Sequence, residues 1–408
     1  MTNRLGAAYW RLWWANAVSA VGDGAFAAAL PLLAVTITQN PELISLVAAV
    51  SYLPWLLLSL TAGVLVDRHD RATLMWRSQL VQCAVVAVLT GVVAIHAADI
   101  AILAVAGFLL GSAQVVFSNA AQSVLPQLVS PAQLPKANGN QYVVQTVGQQ
   151  FAGPPLGSFL FAGAGALPFG LDAASFAGSA LLLARLPARP PQSAPSPAGG
   201  GMLSRIGEGL RWLRGQRLLR LLAVLLGVNS FFGQMGYATM VLLAMRTLHT
   251  GVRGFGLLLI ASAVGSVAGG LLNPVLTRRV GELRSLIIAC GANAVIYVGI
   301  GLAPSAWPAG PLVAGALLAA NGFAVTMWNV VTVTMRQRVV PDDMLGRVNS
   351  AYKMLGWGMI PLGALAGGLV AQAAGLRAPW IIAGTLRGLV LLALLPALLA
   401  AARSLRPS

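Results

Sequence analysis

Acidic residues are scarce in this chain: of 408 residues ten are Asp or Glu, and charge of either sign makes up 9% of the whole. Soluble globular domains carry about 25% charged residues, so this composition cannot clothe an ordinary water-facing surface. A soluble enzyme and a disordered hub are excluded. Cysteine is confined to Cys83 and Cys290, which lie far apart inside apolar runs. A disulfide scaffold and a thiolate metal site are thereby excluded as well. The three histidines, His69, His96 and His249, fall in loops or at the ends of apolar runs, so the sequence offers neither a metal cluster nor a histidine proton relay. No Gly-x-x-x-x-Gly-Lys-Ser/Thr loop occurs and no Ser/His/Asp set is visible, which points away from nucleotide hydrolysis and from intramembrane catalysis. No cofactor and no metal are expected. What the chain has in abundance is apolar surface, 57% hydrophobic residues with a mean hydropathy of +0.79.

A bilayer core about 30 Å thick needs roughly 20 apolar residues of helix. Closing each long apolar run at charged or Pro/Gly-rich breaks gives twelve spans, at 12–37, 43–66, 73–95, 99–119, 141–163, 167–186, 218–244, 254–277, 283–303, 310–333, 349–372 and 378–402. The first is too long for a cleaved signal peptide, contains Asp23, and is followed by eleven more. With the N-terminus in the cytoplasm, 22 of the 26 Lys and Arg residues fall on that side, and only Arg246, Arg253, Arg377 and Arg387 lie outside or within the membrane. That asymmetry is the positive-inside pattern, and it places both termini and the central loop in the cytoplasm. The formal charge of +16 is then a matter of topology and calls for no nucleic-acid partner. Arg outnumbers Lys 24 to 2 and the loops are short, which fits a bacterial inner membrane.

Residues 187–217 interrupt the apolar pattern. Pro187 to Gly201 reads as a flexible linker, and Leu203 to Leu218 alternates Arg with Leu, Ile and Trp at helical spacing, as an amphipathic helix on the inner membrane surface would. The chain thus divides into a six-helix bundle over 1–186, a cytoplasmic linker over 187–217 and a second six-helix bundle over 218–408. A shift of 210 residues superposes the halves: Asn119 on Asn329, Gln127 on Gln337, Pro131 on Pro341, Tyr142 on Tyr352, and Gly148, Gly153, Gly157 and Gly165 on Gly358, Gly363, Gly367 and Gly375, all without a gap. Glycine matches are cheap in a chain with 46 of them, but Asn, Tyr and Pro matches in the same register are not. The expected fold class is an all-α membrane protein of twelve transmembrane helices in two pseudo-symmetric bundles.

That layout resembles the major facilitator superfamily. The loop after the second span reads Gly63-Val-Leu-Val-Asp67-Arg68-His-Asp70-Arg71, similar to the superfamily's signature loop, but with Asp70 where glycine is usual and Ala72 where a second basic residue is usual. Together with Pro131-Ala-Gln-Leu-Pro-Lys-Ala-Asn138 and Asp343-Met-Leu-Gly-Arg347-Val-Asn-Ser350, it resembles the branch of enterobactin exporters and related secretion and macrolide-efflux transporters. The resemblance implies a secondary carrier, not an enzyme. Such a carrier would export a small amphipathic compound (a drug, siderophore or other secondary metabolite) by alternating access, with proton antiport as the coupling. The bilayer, the proton and the small molecule are its expected partners, and a monomer its expected state. An importer or uniporter of the same fold, or a membrane scaffold or sensor without transport, stay open as alternatives.

Several residues carry candidate roles. Asp67 at the end of the second span can accept hydrogen bonds from a helix N-terminus or pair with Arg68, Arg71 or a basic residue of the other half, forming a cytoplasmic latch, and Gly63 one turn earlier permits close helix approach. In the fifth span, Gly148-Gln-Gln-Phe-Ala-Gly153-Pro154-Pro155-Leu-Gly157 resembles the superfamily's antiporter motif, with one residue too many before Gly153. A Pro kink with glycine packing accounts for it nearly as well. Asp23 is read as the sole acidic residue deep inside a span. A carboxylate there costs about 3 kcal/mol on insertion scales, so it is expected to face a cavity, be paired or be protonated, as a proton-coupling group or as a structural Asp hydrogen-bonded to Asn16 or Asn229. Arg387 lies nine residues into the twelfth span, about 13 Å deep at about 1.5 Å per residue. It either snorkels to the interface or meets an anionic group. Asn16, Gln145, Gln149, Gln150, Asn229 and Gln234 are candidates for polar cavity contacts, and Tyr237, Phe231, Phe232, Met235, Trp328 and Trp357 for its apolar wall.

Overall fold

The structure, a computed structural model, describes residues 5–130, 133–187, 211–340 and 342–403. The central linker and most of the amphipathic segment expected after it lie outside the described residues. The described residues are almost entirely helical and contain no strand.

The first six crossings are α1 (Ala7–Ile37), α2 (Pro41–Leu57) continued by α3 (Ser59–Arg68), α4 (Arg71–Ala94), α5 (Ile100–Leu128), α6 (Leu134–Thr146) continued by α7 (Gly153–Gly163), and α8 (Leu167–Leu183). The next six are α9 (Arg217–Tyr237) with the short α10 (Met240–Leu242), α11 (Gly251–Val280), α12 (Glu282–Gly301), α13 (Ala309–Val339), α14 (Asp342–Ala374) and α15 (Ala378–Arg403). Nine of these crossings are long and apolar enough to span by that measure alone. The other three are divided or short. The second is divided at Leu58 into Pro41–Leu57 and Ser59–Arg68, although the Leu58 N–H still bonds the Pro54 carbonyl and the Ala62 N–H the Leu58 carbonyl. The fifth is interrupted by a π-helical segment, Val147–Ala152, and the sixth is only 17 residues long.

By contact, the chain forms two compact units, one of Met1–Gln39 and Val50–Gly199, the other of Asn40–Ala49 and Gly200–Ser408. Inside the first, Tyr9, Leu12, Met75, Phe117, Val124 and Leu183 close one core. Inside the second, Leu219, Leu222, Leu286, Trp328, Val348 and Leu398 close another. Large aliphatic side chains such as Val88, Leu271 and Val295 stand outward, each more than two-thirds exposed. In water such a surface would aggregate; in a bilayer it is the lipid face.

Lipid tails are as apolar as leucine, so helices in a membrane associate through close packing, for which small residues are the means. The two units use the same device in the same register. A Cβ on Gly153 would sit 2.6 Å from the carbonyl oxygen of Val21, and one on Gly363 would collide with that of Phe231; likewise Gly157 abuts the carbonyl of Ala25, and Gly367 that of Met235. Each pair of partners is 210 residues apart. The repeat read from identities is therefore a repeat of backbone contacts, the fifth crossing on the first and the eleventh on the seventh.

Candidate functional site

The π-helical segment accounts for the surplus residue in the fifth-span motif. The Gly153 N–H bonds the Gly148 carbonyl, five residues back instead of four, and this wider turn absorbs the insertion. Gly148 and Gly153 consequently share a face against α1, Gly148 on Ala20 and Gly153 on Gly24. Pro154, just inside α7, lacks the N–H that an uninterrupted helix would use there. The bulge also carries Gln149 to Asp23, whose Oδ2 accepts from Gln149 Nε2 at 3.2 Å. Ser19, one turn before Asp23 on α1, is its second hydrogen-bonding neighbour.

Asp23 is not the sole intramembrane acid. Asp172, in the second turn of α8, is 1% exposed and lies close enough to Asp23 for the two charges to interact. Its carboxylate abuts Gly22, where a Cβ would come within van der Waals overlap of Asp172 Oδ1. Ser175 Oγ donates to the Asp172 carbonyl at 2.8 Å and to Oδ1 at 3.3 Å. Position 172 lies five residues past the start of the predicted sixth span, so the sequence itself held the signal. Asp23, by contrast, is only half-buried, so the two carboxyls form a pair of differing burial.

Further polar side chains of this unit extend the cluster along α1. Gln79 Nε2 donates to Ser19 Oγ at 3.5 Å, and Asn16 Nδ2 to Gln141 Oε1 at 2.7 Å. Gln141 and Gln79 were not legible as partners from the sequence, because their faces are set by helix crossings. Gln145 and Gln150 are exposed and stand apart from the cluster.

At the loop after the second crossing, Gly63 and the Asp67 side chain lie outside the described residues, and Arg68 is exposed. Arg71 Nη1 donates to the Ser123 carbonyl at 3.0 Å, tying α4 to the end of α5. Asp70, the departure from the superfamily pattern, is the N-cap of α4: its Oδ1 accepts from the Thr73 N–H at 2.7 Å. Asp70→Ala should cost about 1 kcal/mol and Asp70→Gly only a few tenths, readable as a lowered thermal unfolding midpoint for the first and a near-native one for the second.

In the second unit the structure brings together Asn229, Tyr237 and Arg387. Arg387 does not snorkel. It is 7% exposed, its Nη2 donates to the Asn229 carbonyl at 2.7 Å, and its guanidinium stands 4.3 Å from the centre of the Tyr297 ring. The Tyr237 hydroxyl donates to Asn321 Oδ1 at 3.3 Å, and Asn321 Nδ2 to Asn293 Oδ1 at 2.9 Å. Gln234 is half-buried, while Met235 and Trp328 are buried packing residues. Phe231 and Phe232, with Val228, Leu355 and Met359, line an apolar pocket of about 460 Å³ beside α9, with Arg214 and Arg220 also on its wall. That size and lining suit a drug-sized amphipathic molecule.

Helical bundles with apolar exteriors, small-residue seams and buried polar clusters define a multi-pass membrane protein. The comparisons name its kind. The Major Facilitator Superfamily profile matches residues 12–363, and the chain belongs to that superfamily: it is a transporter and not an enzyme. It is similar to the multidrug efflux pump Tap of Mycolicibacterium fortuitum, 27% identical over 372 residues that cover 88% of each chain. Macrolide efflux protein A of Streptococcus pyogenes is 23% identical over 384 residues, 93% of each. Among solved structures, a point mutant of the nucleoside transporter NupG superposes with a TM-score of 0.75 at 12% identity, covering 96% of this chain and 99% of that one; the likeness is one of fold.

Proposed function

We propose that this transporter exports a small amphipathic compound from the bacterial cytoplasm through the inner membrane, both termini inside, by proton antiport, with Asp23 as the group that exchanges the proton. The observation that carries the reading is the Asp23 carboxyl, half-buried, hydrogen-bonded by Gln149 and backed by Asp172. The similarity to proteins named as multidrug and macrolide efflux pumps supports export and a drug-like cargo. The apolar pocket beside α9 supports an amphipathic one. In the antiport cycle Asp23 takes a proton from the outer side and releases it inside, alternating with substrate, the halves 1–186 and 218–408 exchange access, and the loop bearing Asp67 and Arg71 latches the inner face.

Everted vesicles containing the protein, tested with ethidium and erythromycin, give the test. Uptake should require an interior-acid pH gradient and collapse on its dissipation with nigericin. Uptake indifferent to the gradient would remove the antiport, and net movement out of the vesicle lumen would make the protein an importer.

A further inference from the structure

Among the described residues no ion pair joins an acidic side chain to Arg387. Its Nη2 reaches the Asn229 carbonyl, but Nε and Nη1 have no hydrogen-bond partner among the described residues. Its neighbours are neutral: the Tyr297 ring beneath it, the Tyr237 hydroxyl, the Cys290 thiol and the Gly233 backbone. From residue 200 onward the sequence has four acids, Glu208, Glu282, Asp342 and Asp343. Glu282 opens α12 and pairs with Arg338 at 2.6 Å. Arg387's neighbours on α12 are Cys290 and Tyr297, which lie eight and fifteen residues beyond Glu282, about 12–22 Å along the helix at about 1.5 Å per residue. Asp342 and Asp343 open α14, whose other end, more than thirty residues on, leads to Arg377. Glu42 heads α2, and no ion pair joins it to Arg387 among the described residues.

The repeat shows how this came about. Position 233 corresponds to position 23 under the 210-residue shift, and a Cβ on Gly233 would stand 3.1 Å from Arg387 Nη2. Where the first unit has a carboxylate, the second has a glycine that makes room for a guanidinium. A buried charge with idle donors is unfavourable in a medium of low dielectric unless an opposite charge joins it.

We infer that Arg387, with Asn229, Gly233 and Tyr297, forms a binding site for a monovalent anion, either inorganic chloride or the carboxylate of an organic compound. The guanidinium supplies charge and two free N–H donor atoms, and Tyr297, in tilted contact with Trp380 at 4.9 Å between ring centres, supplies an aromatic floor. Neither the coupling ion nor the direction of transport enters this inference, so it stands or falls apart from the proton antiport.

The test uses the purified full chain in detergent, with sodium chloride and sodium benzoate titrated against sodium sulfate at constant ionic strength. Binding should raise the unfolding midpoint by about 2–4 °C and saturate, and Arg387→Gln should abolish the rise. Saturation by chloride alone would identify an inorganic occupant; tighter saturation by benzoate, with chloride competing, would identify an organic carboxylate. Either supports the site. Should Arg387→Gln fail to fold, saturation-transfer NMR on the wild type reads benzoate contact directly and chloride competition against it. Absence of any saturable response in the wild type, or the same response in a folded Arg387→Gln, overturns the inference.

Discussion

Replacing Asp23 with Asn is expected to abolish gradient-driven export, down to the level of vesicles lacking the protein, while leaving folded yield and thermal midpoint close to wild type. The amide is nearly isosteric, and its oxygen can still accept from Gln149 Nε2, which the carboxylate meets at 3.2 Å. What it cannot do is change charge. Because Asn is neutral in every state, substrate exchange down a concentration difference should persist when counterflow is measured without a pH gradient. That split separates loss of coupling from loss of the carrier. Asp172→Asn should behave differently. Asp172 is 1% exposed beneath Gly22 and held by Ser175, so it biases Asp23 without exchanging with solvent itself; the single variant should retain gradient-driven export at a reduced rate, and the double variant should match Asp23→Asn. Groups acting as a unit are non-additive in this way. Full loss in Asp172→Asn with export intact in Asp23→Asn would transfer the role to Asp172.

How much of this was legible in the sequence follows from which physical rule governs each feature. The spans were readable because the bilayer imposes length and polarity on every crossing, whatever its neighbours. The repeat was readable because glycine seams such as Gly153 on Val21 and Gly363 on Phe231 tolerate no side chain and so keep their register. The partners of polar side chains were not, since the Asn16–Gln141 and Gln79–Ser19 contacts depend on how three helices cross. Asp172 is a different case: its place inside the sixth span was plain, and only its neighbour was hidden. The surplus residue in the fifth-span motif looked like a weakened match and is instead the π-turn that aims Gln149. Asp70 looked like another weakened match and is a helix cap. Departures from a family pattern here mark local geometry more than lost function.

The glycine seams carry the second large prediction. Gly153→Val and Gly363→Val should each prevent accumulation of folded protein, with a loss of about 3 kcal/mol or more, at or beyond the upper end of ordinary overpacking. The obstruction is main chain on both sides. At Gly153 a Cβ would meet Gly24 Cα and the Val21 carbonyl, each at 2.6 Å, and at Gly363 it would meet the Phe231 carbonyl and Cα. No side-chain rotation relieves that overlap; the first and fifth crossings, or the seventh and eleventh, would have to separate along their length, losing dispersion contacts that lipid only partly restores. Gly91 in α4 provides the control, because nothing lies within 4 Å of its would-be Cβ. Gly91→Ala should be neutral or stabilise by about 0.5–1 kcal/mol, the usual gain from replacing glycine inside a helix. Size-exclusion profiles and thermal midpoints in detergent read all three. Equal damage from both valines would show that the 210-residue register carries equal mechanical weight in each unit. A tolerant Gly153 beside an intolerant Gly363 would show that the π-turn beside Gly153, which has no counterpart beside Gly363 in α14, lets that helix yield, and native-like behaviour of both would refute the seams altogether.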